Sequence, residues 1–232
     1  MSKISTDTKL KQGRGKGFGA DYKPFIKARE FNSMGTCSNF VDWKNGRQMQ
    51  FLSQTELYVY MQLRWLDDDI DDVHEQYPLD IDRLKELVFQ ANQELQASGQ
   101  SLLKVKYDSQ HWLTSDLVIY RDKSISEVIS VKYNKNDLSE KDIETIWIEK
   151  KYWNERGIPL TLMDRSDVNL VLVQNLRLVL EYYDLSKVHD KDSLIKHYIA
   201  TKKLAVDIGT KPLDMREIKQ MIEEKKICLP MA

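Results

Sequence analysis

The spacing of hydrophobic residues divides most of the chain into short helices and strands. Apolar residues three and four positions apart predict helices over 53–67, 80–97, 139–156 and roughly 168–183. Short alternating or continuous apolar runs predict extended segments over 71–79, 112–120, 125–133 and 158–163. The resulting order of helices and strands is typical of an α/β layer fold.

The pattern changes after Asp184, where two short amphipathic helices are predicted over 191–204 and 214–227. Asp214 and Glu217 are spaced to cap the second of them reciprocally. Two helices of this size suit half of a helix-turn-helix or winged-helix module. They suit a helical cap packed on the first domain equally well, and the pattern does not choose between the two.

Charge is balanced overall but unevenly distributed. The net charge is −1, whereas residues 1–30 hold eight basic and three acidic groups. Residues 66–82 hold eight acidic groups and no Lys or Arg, and 187–227 hold ten basic against seven acidic groups. The basic ends could contact phosphates through counterion release, or could be solvated and flexible. The acidic stretch favours a solvated surface over a metal cage.

Several classes of protein and site are disfavoured by composition. No apolar run approaches the roughly 20 residues that a bilayer requires. Cys37 and Cys228 lie too far apart in sequence to indicate a disulfide framework or a metal motif. None of the four histidines has a second His or Cys at close ligand spacing. We therefore expect a cytoplasmic protein with reduced thiols, no membrane segment and no zinc site.

The glycine-rich run from Gly13 to Gly19 invites comparison with a phosphate-binding loop. Such a loop needs four residues between its first Gly and the Gly-Lys pair, followed by Ser or Thr, and a preceding strand. This run supplies neither. It is interpreted as part of a flexible basic segment that leads into Tyr22-Lys23-Pro24-Phe25.

The two adjoining strands 112–120 and 125–133 carry an acid and a base at one end of the predicted sheet. Asp116 and Lys132 both lie on the more mixed face of their strands. A lysine at the end of a partly covered strand is costly unless a negative group faces it. Asp116 is the natural partner for Lys132, although two ordinary surface charges would give the same pattern.

Glu56 lies on the apolar stripe of the first predicted helix, beside Leu52, Val59, Tyr60 and Leu63. A carboxylate on such a stripe usually has a partner or a chemical role. The sequence Ser53-Gln54-Thr55-Glu56 is also a legitimate capping box, and a structural cap is the favoured interpretation. The two interpretations are compatible.

Two carboxylates and a lysine form a recognised chemical set. Mg²⁺ prefers oxygen ligands and keeps several waters, so one or two carboxylates and a carbonyl can hold it. A bound ion polarises a phosphate and activates water, while the lysine positions that water or offsets developing negative charge. In a chain with 31% charged residues the pattern alone is weak, but its place on adjoining strands strengthens it.

Short stretches in a fixed order carry a resemblance to a known family, the TnsA endonuclease subunits of heteromeric cut-and-paste bacterial transposons. These stretches are Gly13–Gly17, Asp21–Lys27, Leu52–Leu57 with Leu63–Trp65, Glu75–Leu79, Thr114–Val118, Val131–Lys132, and Glu149–Trp153 with Ile158–Pro159. Together they cover roughly two thirds of the chain.

The resemblance implies a restriction-endonuclease-like mixed sheet flanked by helices, with a small helical or winged-helix-like C-terminal domain. We therefore predict a flexible basic segment over 1–30, a catalytic domain over 31–165 and the C-terminal domain over 166–232. The resemblance also implies hydrolysis at the 5′ ends of a transposon with one or two Mg²⁺ ions, for which Mn²⁺ can substitute. The implied partners are transposon-end DNA, an integrase-type, TnsB-like transposase that cuts and joins the 3′ ends, and an ATP-dependent, TnsC-like regulator. The implied location is the bacterial cytoplasm, at the nucleoid when active.

The family's helix Glu, strand Asp and strand Lys fall on Glu56, Asp116 and Lys132. Glu56, Asp116 and the Val131 carbonyl are the predicted metal ligands, with Ser130 or Glu149 as a further candidate. Ser130 departs from the family, which has Gln or an acid there, and for Glu149 an ordinary surface position is favoured. The predicted DNA-contacting residues are Arg14, Lys16, Lys23, Lys27 and Arg29.

Two alternative functions remain open at this point. One is a free-standing restriction or repair nuclease of the same fold, which would cut DNA without a partner. The other is a catalytically inactive scaffold that bridges DNA and the regulator, and Ser130 is the residue that favours it.

Overall fold

A computed structural model describes residues 4–30 and 37–180 of the chain. It divides into two compact units, Met1–Asp167 and Val168–Ala232. The described part of the second unit contains the helix α5, Leu170–Val179, with Asn169 as its N-cap. The helices predicted over 191–204 and 214–227, and with them the winged-helix prediction, lie outside the described residues.

The first unit is built on a mixed four-stranded sheet. Its strands are β3 (Asp72–Pro78), β4 (Thr114–Arg121), β5 (Ser124–Val131) and β6 (Leu160–Met163), in that spatial order. The pairs β3–β4 and β4–β5 are antiparallel, and β5–β6 is parallel. A separate antiparallel hairpin joins β1 (Ser38–Val41) to β2 (Gln48–Phe51). The remaining helices are α1 (Thr6–Lys11), α2 (Gln54–Leu66), α3 (Ile81–Ala97) and α4 (Glu140–Asn154).

Helices flank the sheet and supply its core. α3 and α4 pack on one another, and a buried cluster joins Leu84 and Leu87 of α3 and Ile148 and Trp153 of α4 to Val118 of β4. α2 contacts β4 and β5. This mixed sheet flanked by helices confirms the predicted α/β, restriction-endonuclease-like fold class. Among the described helices, none is long and apolar enough to span a membrane.

Capping residues set the boundaries of the helices α3 and α4. Asp80 accepts hydrogen bonds from the first turn of α3, and that helix ends before Gly99, whose φ is +70°. Ser139 and Asp142 form a reciprocal capping box at the start of α4. Local side-chain chemistry thus sets these ends within one or two residues of the predicted positions.

The described part of the N-terminal segment lies against the sheet. Gly19 N–H donates to Asp72 Oδ2 at 2.6 Å, and the Tyr22 hydroxyl donates to the Glu75 carbonyl at 3.0 Å. The Tyr22 ring also stacks on His74, with centroids 3.7 Å apart. These contacts fix the segment along β3, the edge strand of the sheet.

Two glycines of this segment are required by close packing. A Cβ at Gly15 would lie 2.3 Å from Pro78 Cγ, and one at Gly17 would lie 2.3 Å from the Asp21 carbonyl oxygen. Both residues have positive φ, +77° and +102° respectively. The glycine-rich run therefore packs against protein rather than encircling a phosphate.

The acidic stretch 66–82 is only partly a solvated surface, contrary to the prediction. Asp72 and Glu75 are completely buried. Arg47 Nη1 donates to both Glu75 carboxylate oxygens at 2.8 Å, and Arg47 Nη2 donates to the Val73 carbonyl at 2.6 Å. The buried acids are thus compensated by a buried arginine from the β1–β2 hairpin.

Candidate active site

Glu56 is held at the start of α2, with its carboxyl group directed into the protein. Ser53 Oγ accepts from Glu56 N–H at 3.1 Å, and the Ser53 hydroxyl lies 2.9 Å from Oε1. Oε2 accepts from Leu52 N–H at 3.0 Å and from the Gln76 side-chain amide at 3.2 Å. The residue is therefore part of the cap, and it also presents a buried acid.

The pKa of Glu56 is raised to about 8, first by burial and then by the negative charge of Asp116. Hydrogen bonds from Leu52 and Ser53 and the charge of Lys132 oppose this rise. A capping carboxylate at a helix end normally gains from being ionised. Here burial outweighs that gain, and the nearby charge of Asp116 adds to the rise.

Asp116 lies where β4 and β5 part. The paired register of these strands runs from Arg121–Ser124 to Leu117–Ile129, and Asp116 is the next residue of β4. Its Oδ2 accepts the Val131 N–H at 2.7 Å. Burial raises the pKa of Asp116, and Lys132 and the Val131 N–H lower it. The Asp116 side chain thus takes the place of a backbone acceptor in the hydrogen-bond ladder between β4 and β5. The other carboxylate oxygen, Oδ1, is left for other partners.

Lys132 directly follows β5, and its backbone is fixed by the parallel neighbour. Its N–H donates to the Met163 carbonyl of β6 at 2.9 Å. Within the described residues no ion pair shorter than 4.0 Å joins its ammonium to Asp116, but its charge lowers the pKa values of Glu56, Asp116 and Glu149. Lys132 also borders a surface pocket of about 210 Å³, which it lines with the following loop and Asp142 of α4.

Glu149 is buried, and the prediction that it is a surface residue is wrong. It is only 2% exposed on α4, where Ile148, Tyr152 and Trp153 also face the core. Burial, followed by the charge of Asp116, raises its pKa to about 7. Its Oε1 has no hydrogen-bond partner among the described residues. In the sequence, the apolar neighbours Ile148, Tyr152 and Trp153 were the signal that Glu149 lies on the buried face of α4.

Ser130 links the strand to this third acid. It is 1% exposed, and hydrogen bonds from Ser115 and Ser130 lower the pKa of Glu149. Ser115 Oγ also accepts from Trp153 Nε1 at 2.9 Å, which ties α4 to β4. The position where the family has Gln or an acid is therefore occupied by a hydroxyl that contacts a buried acid from the neighbouring helix.

This donor set suits a hard divalent cation. After burial, the charge of Asp116 raises the pKa values of Glu56 and Glu149, and a cation would relieve that repulsion. The unpartnered Oε1 of Glu149 is a buried acceptor of the kind that needs a ligand, an ion or water. Within the described residues no three His, Cys, Asp or Glu side chains are already gathered into a metal-holding group. A metal would therefore rest on two carboxylates, a carbonyl and waters, which suits Mg²⁺.

The predicted DNA-contacting residues separate into two groups. Lys16, Lys23, Lys27 and Arg29 are exposed, so their assignment stays a prediction. Arg14 is only 3% exposed and pairs with Glu30 through two hydrogen bonds, of 2.6 and 2.8 Å. Because its guanidinium is buried and bonded to Glu30, it does not reach a DNA phosphate, which corrects its assignment as a DNA contact.

The fold is a mixed sheet in which Asp116 and Lys132 lie where β4 and β5 part, and Glu56 lies on α2. This arrangement is consistent with the restriction-endonuclease-like class of proteins. Over 177 residues the chain is 27% identical to the transposon Tn7 transposition protein TnsA of Escherichia coli. The match covers 76% of this chain and 62% of that relative. It confirms the resemblance to TnsA drawn from the short motifs. No protein-family model matches the chain.

Proposed function

We propose that this chain is the endonuclease subunit of a transposition machinery and hydrolyses DNA at the 5′ ends of a transposon with Mg²⁺. One observation carries the proposal: the buried acids Glu56 and Glu149 lie close enough to Asp116 for its charge to raise their pKa values, and the charge of Lys132 acts on all three. Such a cluster does not stabilise the fold, and perturbed titratable groups of this kind mark functional sites. The similarity to a transposition protein supports the same function.

Each residue has a distinct proposed role. Glu56, Asp116 and the Val131 carbonyl would hold Mg²⁺, and bound Mg²⁺ polarises the phosphate and lowers the pKa of an attacking water. Lys132 orients that water and stabilises negative charge that develops on the phosphate oxygens. Glu149 supplies the acid that Ser130 does not, through the carboxylate oxygen that has no partner in the described structure.

The proposed partners follow from the resemblance and from the distribution of charge. The exposed Lys16, Lys23, Lys27 and Arg29 would contact DNA phosphates. With a net charge of −1, the chain alone is expected to bind DNA weakly. A TnsB-like transposase would therefore bring it to the transposon ends, under a TnsC-like regulator, in the cytoplasm.

The test is cleavage of transposon-end DNA by the full chain together with an integrase-type, TnsB-like transposase. Wild-type protein is expected to cut the 5′ ends only with Mg²⁺ or Mn²⁺. Lys132→Met should lower the rate by about 10²–10³-fold, since it removes a preorganised charge from the transition state. Lys123→Met, in the β4–β5 turn, serves as the control and should leave the rate unchanged.

Other outcomes of this experiment would favour the alternatives. Cleavage without any transposase would indicate a free-standing nuclease. A wild-type chain that neither binds Mg²⁺ nor cuts in the assembled system would indicate a scaffold. Full activity of Lys132→Met would contradict the assigned site.

Replacing Glu149 tests whether this buried acid serves the metal or the fold. Glu149→Gln removes a charge that burial and Asp116 disfavour, so the melting temperature is expected to stay the same or rise. Mg²⁺ affinity, measured by calorimetry, should fall by about 10–100-fold, as for residues that support a metal site. Glu140→Gln is the control on the same helix, because the Glu140 side chain is 80% exposed. A less stable variant with unchanged Mg²⁺ affinity would assign Glu149 to the fold instead.

A further inference from the structure

Gln76 has an unusual backbone conformation in the middle of β3. Its φ is +51°, in the left-handed region that residues other than glycine seldom adopt. The β3–β4 register pairs Glu75 with Leu117 and Tyr77 with Ser115, which places Gln76 opposite Asp116. Backbone conformations of this kind are strained and cluster at functional sites.

This conformation interrupts the alternation of side chains along β3. His74 and Tyr77 are three residues apart and would face opposite sides of a regular strand. Their rings instead lie on the same side, stacked with centroids 6.2 Å apart. Glu75 is directed to Arg47, which directly precedes β2, and the side chain of Gln76 reaches Glu56 of α2. The kink therefore places the side chains of two successive residues, Glu75 and Gln76, on the side of the sheet where Glu56 lies.

The Gln76 side chain is buried and bonded at both ends. It is 1% exposed, and its amide nitrogen donates to Glu56 Oε2 at 3.2 Å. Its Oε1 accepts from the Thr114 hydroxyl at 3.2 Å. Because a carboxylate oxygen accepts hydrogen bonds, the NH₂ end of Gln76 faces Glu56 Oε2, and the oxygen end then takes the Thr114 hydroxyl as its donor. Its backbone carbonyl accepts from Phe25 N–H at 3.3 Å, which ties the same residue to the N-terminal segment.

We propose that Gln76 is a positioning residue that orients the Glu56 carboxylate for metal binding. The inference rests on the proposed function, in which Glu56 is a metal ligand. The Gln76 amide engages Oε2, and the Ser53 hydroxyl engages Oε1, so the carboxylate plane is fixed from both sides. The left-handed backbone is what brings the amide there. Outer groups that orient metal ligands commonly change metal affinity by about 10–100-fold.

The test uses Gln76→Gly in the full chain. Glycine adopts positive φ without strain, so the backbone is preserved while the amide is lost. We expect a folded protein that binds Mg²⁺ about 10–100-fold more weakly in calorimetry. Its cleavage rate should recover largely at saturating Mg²⁺. Lys123→Gly is the matched control, because Lys123 also has positive φ, +60°, in the β4–β5 turn and should leave Mg²⁺ affinity unchanged.

A double-mutant cycle separates this inference from the proposed function. In a Glu56→Gln background, Gln76→Gly should cause no further loss of Mg²⁺ affinity. If Glu56→Gln weakens Mg²⁺ binding but Gln76→Gly does not, the positioning role is wrong and the proposed function stands. If neither wild-type nor Glu56→Gln protein binds Mg²⁺, both are wrong. Should Gln76→Gly not fold, Gln76→Asn keeps a residue tolerant of positive φ with a shorter amide, and wild-type affinity in that variant would also overturn the inference.

Discussion

Asp116→Asn is expected to abolish DNA cleavage while leaving the protein at least as stable as the wild type. Loss of a metal-ligating charge removes several kcal/mol of transition-state stabilisation, so the rate should fall by about 10³-fold or more. The Asn side chain retains an oxygen that can accept the Val131 N–H. Removing the charge also relieves the repulsion that raises the pKa values of Glu56 and Glu149.

The two halves of this prediction are measured separately. Cleavage is followed in the reconstituted system with Mg²⁺, and stability by thermal unfolding without Mg²⁺. Asp122→Asn is the control from the turn after β4, where φ is +50°, a conformation that asparagine tolerates well. A stable Asp116→Asn protein that still cuts DNA would contradict the assignment of Asp116 as a metal ligand. A protein that loses activity because it no longer folds would leave Asp116 with a structural role.

Arg47→Met is expected to destabilise the first unit by about 3–5 kcal/mol, because it leaves the buried Glu75 without its cation. The two side chains are only 4% and 0% exposed. The same guanidinium lies 5.0 Å from the centre of the Tyr22 ring and so also supports the N-terminal segment. Denaturant unfolding gives the size of the loss, and the double variant Arg47→Met with Glu75→Gln should recover much of it.

The loss in Arg47→Met should also depend on pH. Burial raises the pKa of Glu75 to about 7 even though Arg47 lowers it, so without Arg47 the pKa must rise further. A carboxyl group whose pKa is higher in the folded than in the unfolded state stabilises the fold as the pH falls. The deficit should therefore be larger at pH 8 than at pH 6. An equal deficit at both values would show that Glu75 is not its source.

Hydrophobic spacing was sufficient for the main elements because local signals set them. α3 was predicted over 80–97 and is observed over Ile81–Ala97, with Asp80 as its cap. The strands around Asp116 and Lys132 were displaced by only one or two residues at each end. The β1–β2 hairpin was missed, although Asn45-Gly46 at its turn is a strong hairpin signal.

Charged residues could not be placed by the same reasoning. Arg14 has the sequence surroundings of a DNA contact, and its burial depends on Glu30, sixteen residues away, folding against it. Glu149 sits in a helix rich in charge, and although its apolar neighbours favour burial, its hydrogen-bond partners Ser115 and Ser130 come from two different strands. Gln76 carries no local sign of a left-handed backbone. These positions are decided by tertiary contacts, which periodicity does not encode.

The close packing at Gly15 and Gly17 sets how freely this segment can vary. At these two positions any side chain would collide with Pro78 or with the backbone of Asp21, whereas Gly13 and Gly19 have open space around them and are restricted only by positive φ. Lys16, between the two crowded glycines, is exposed, so packing does not restrict its side chain. Substitutions in this run should therefore be tolerated least at Gly15, at Gly17 and at the buried Arg14, and the two glycines preserve a fit to the sheet edge whatever ligand Lys16 contacts.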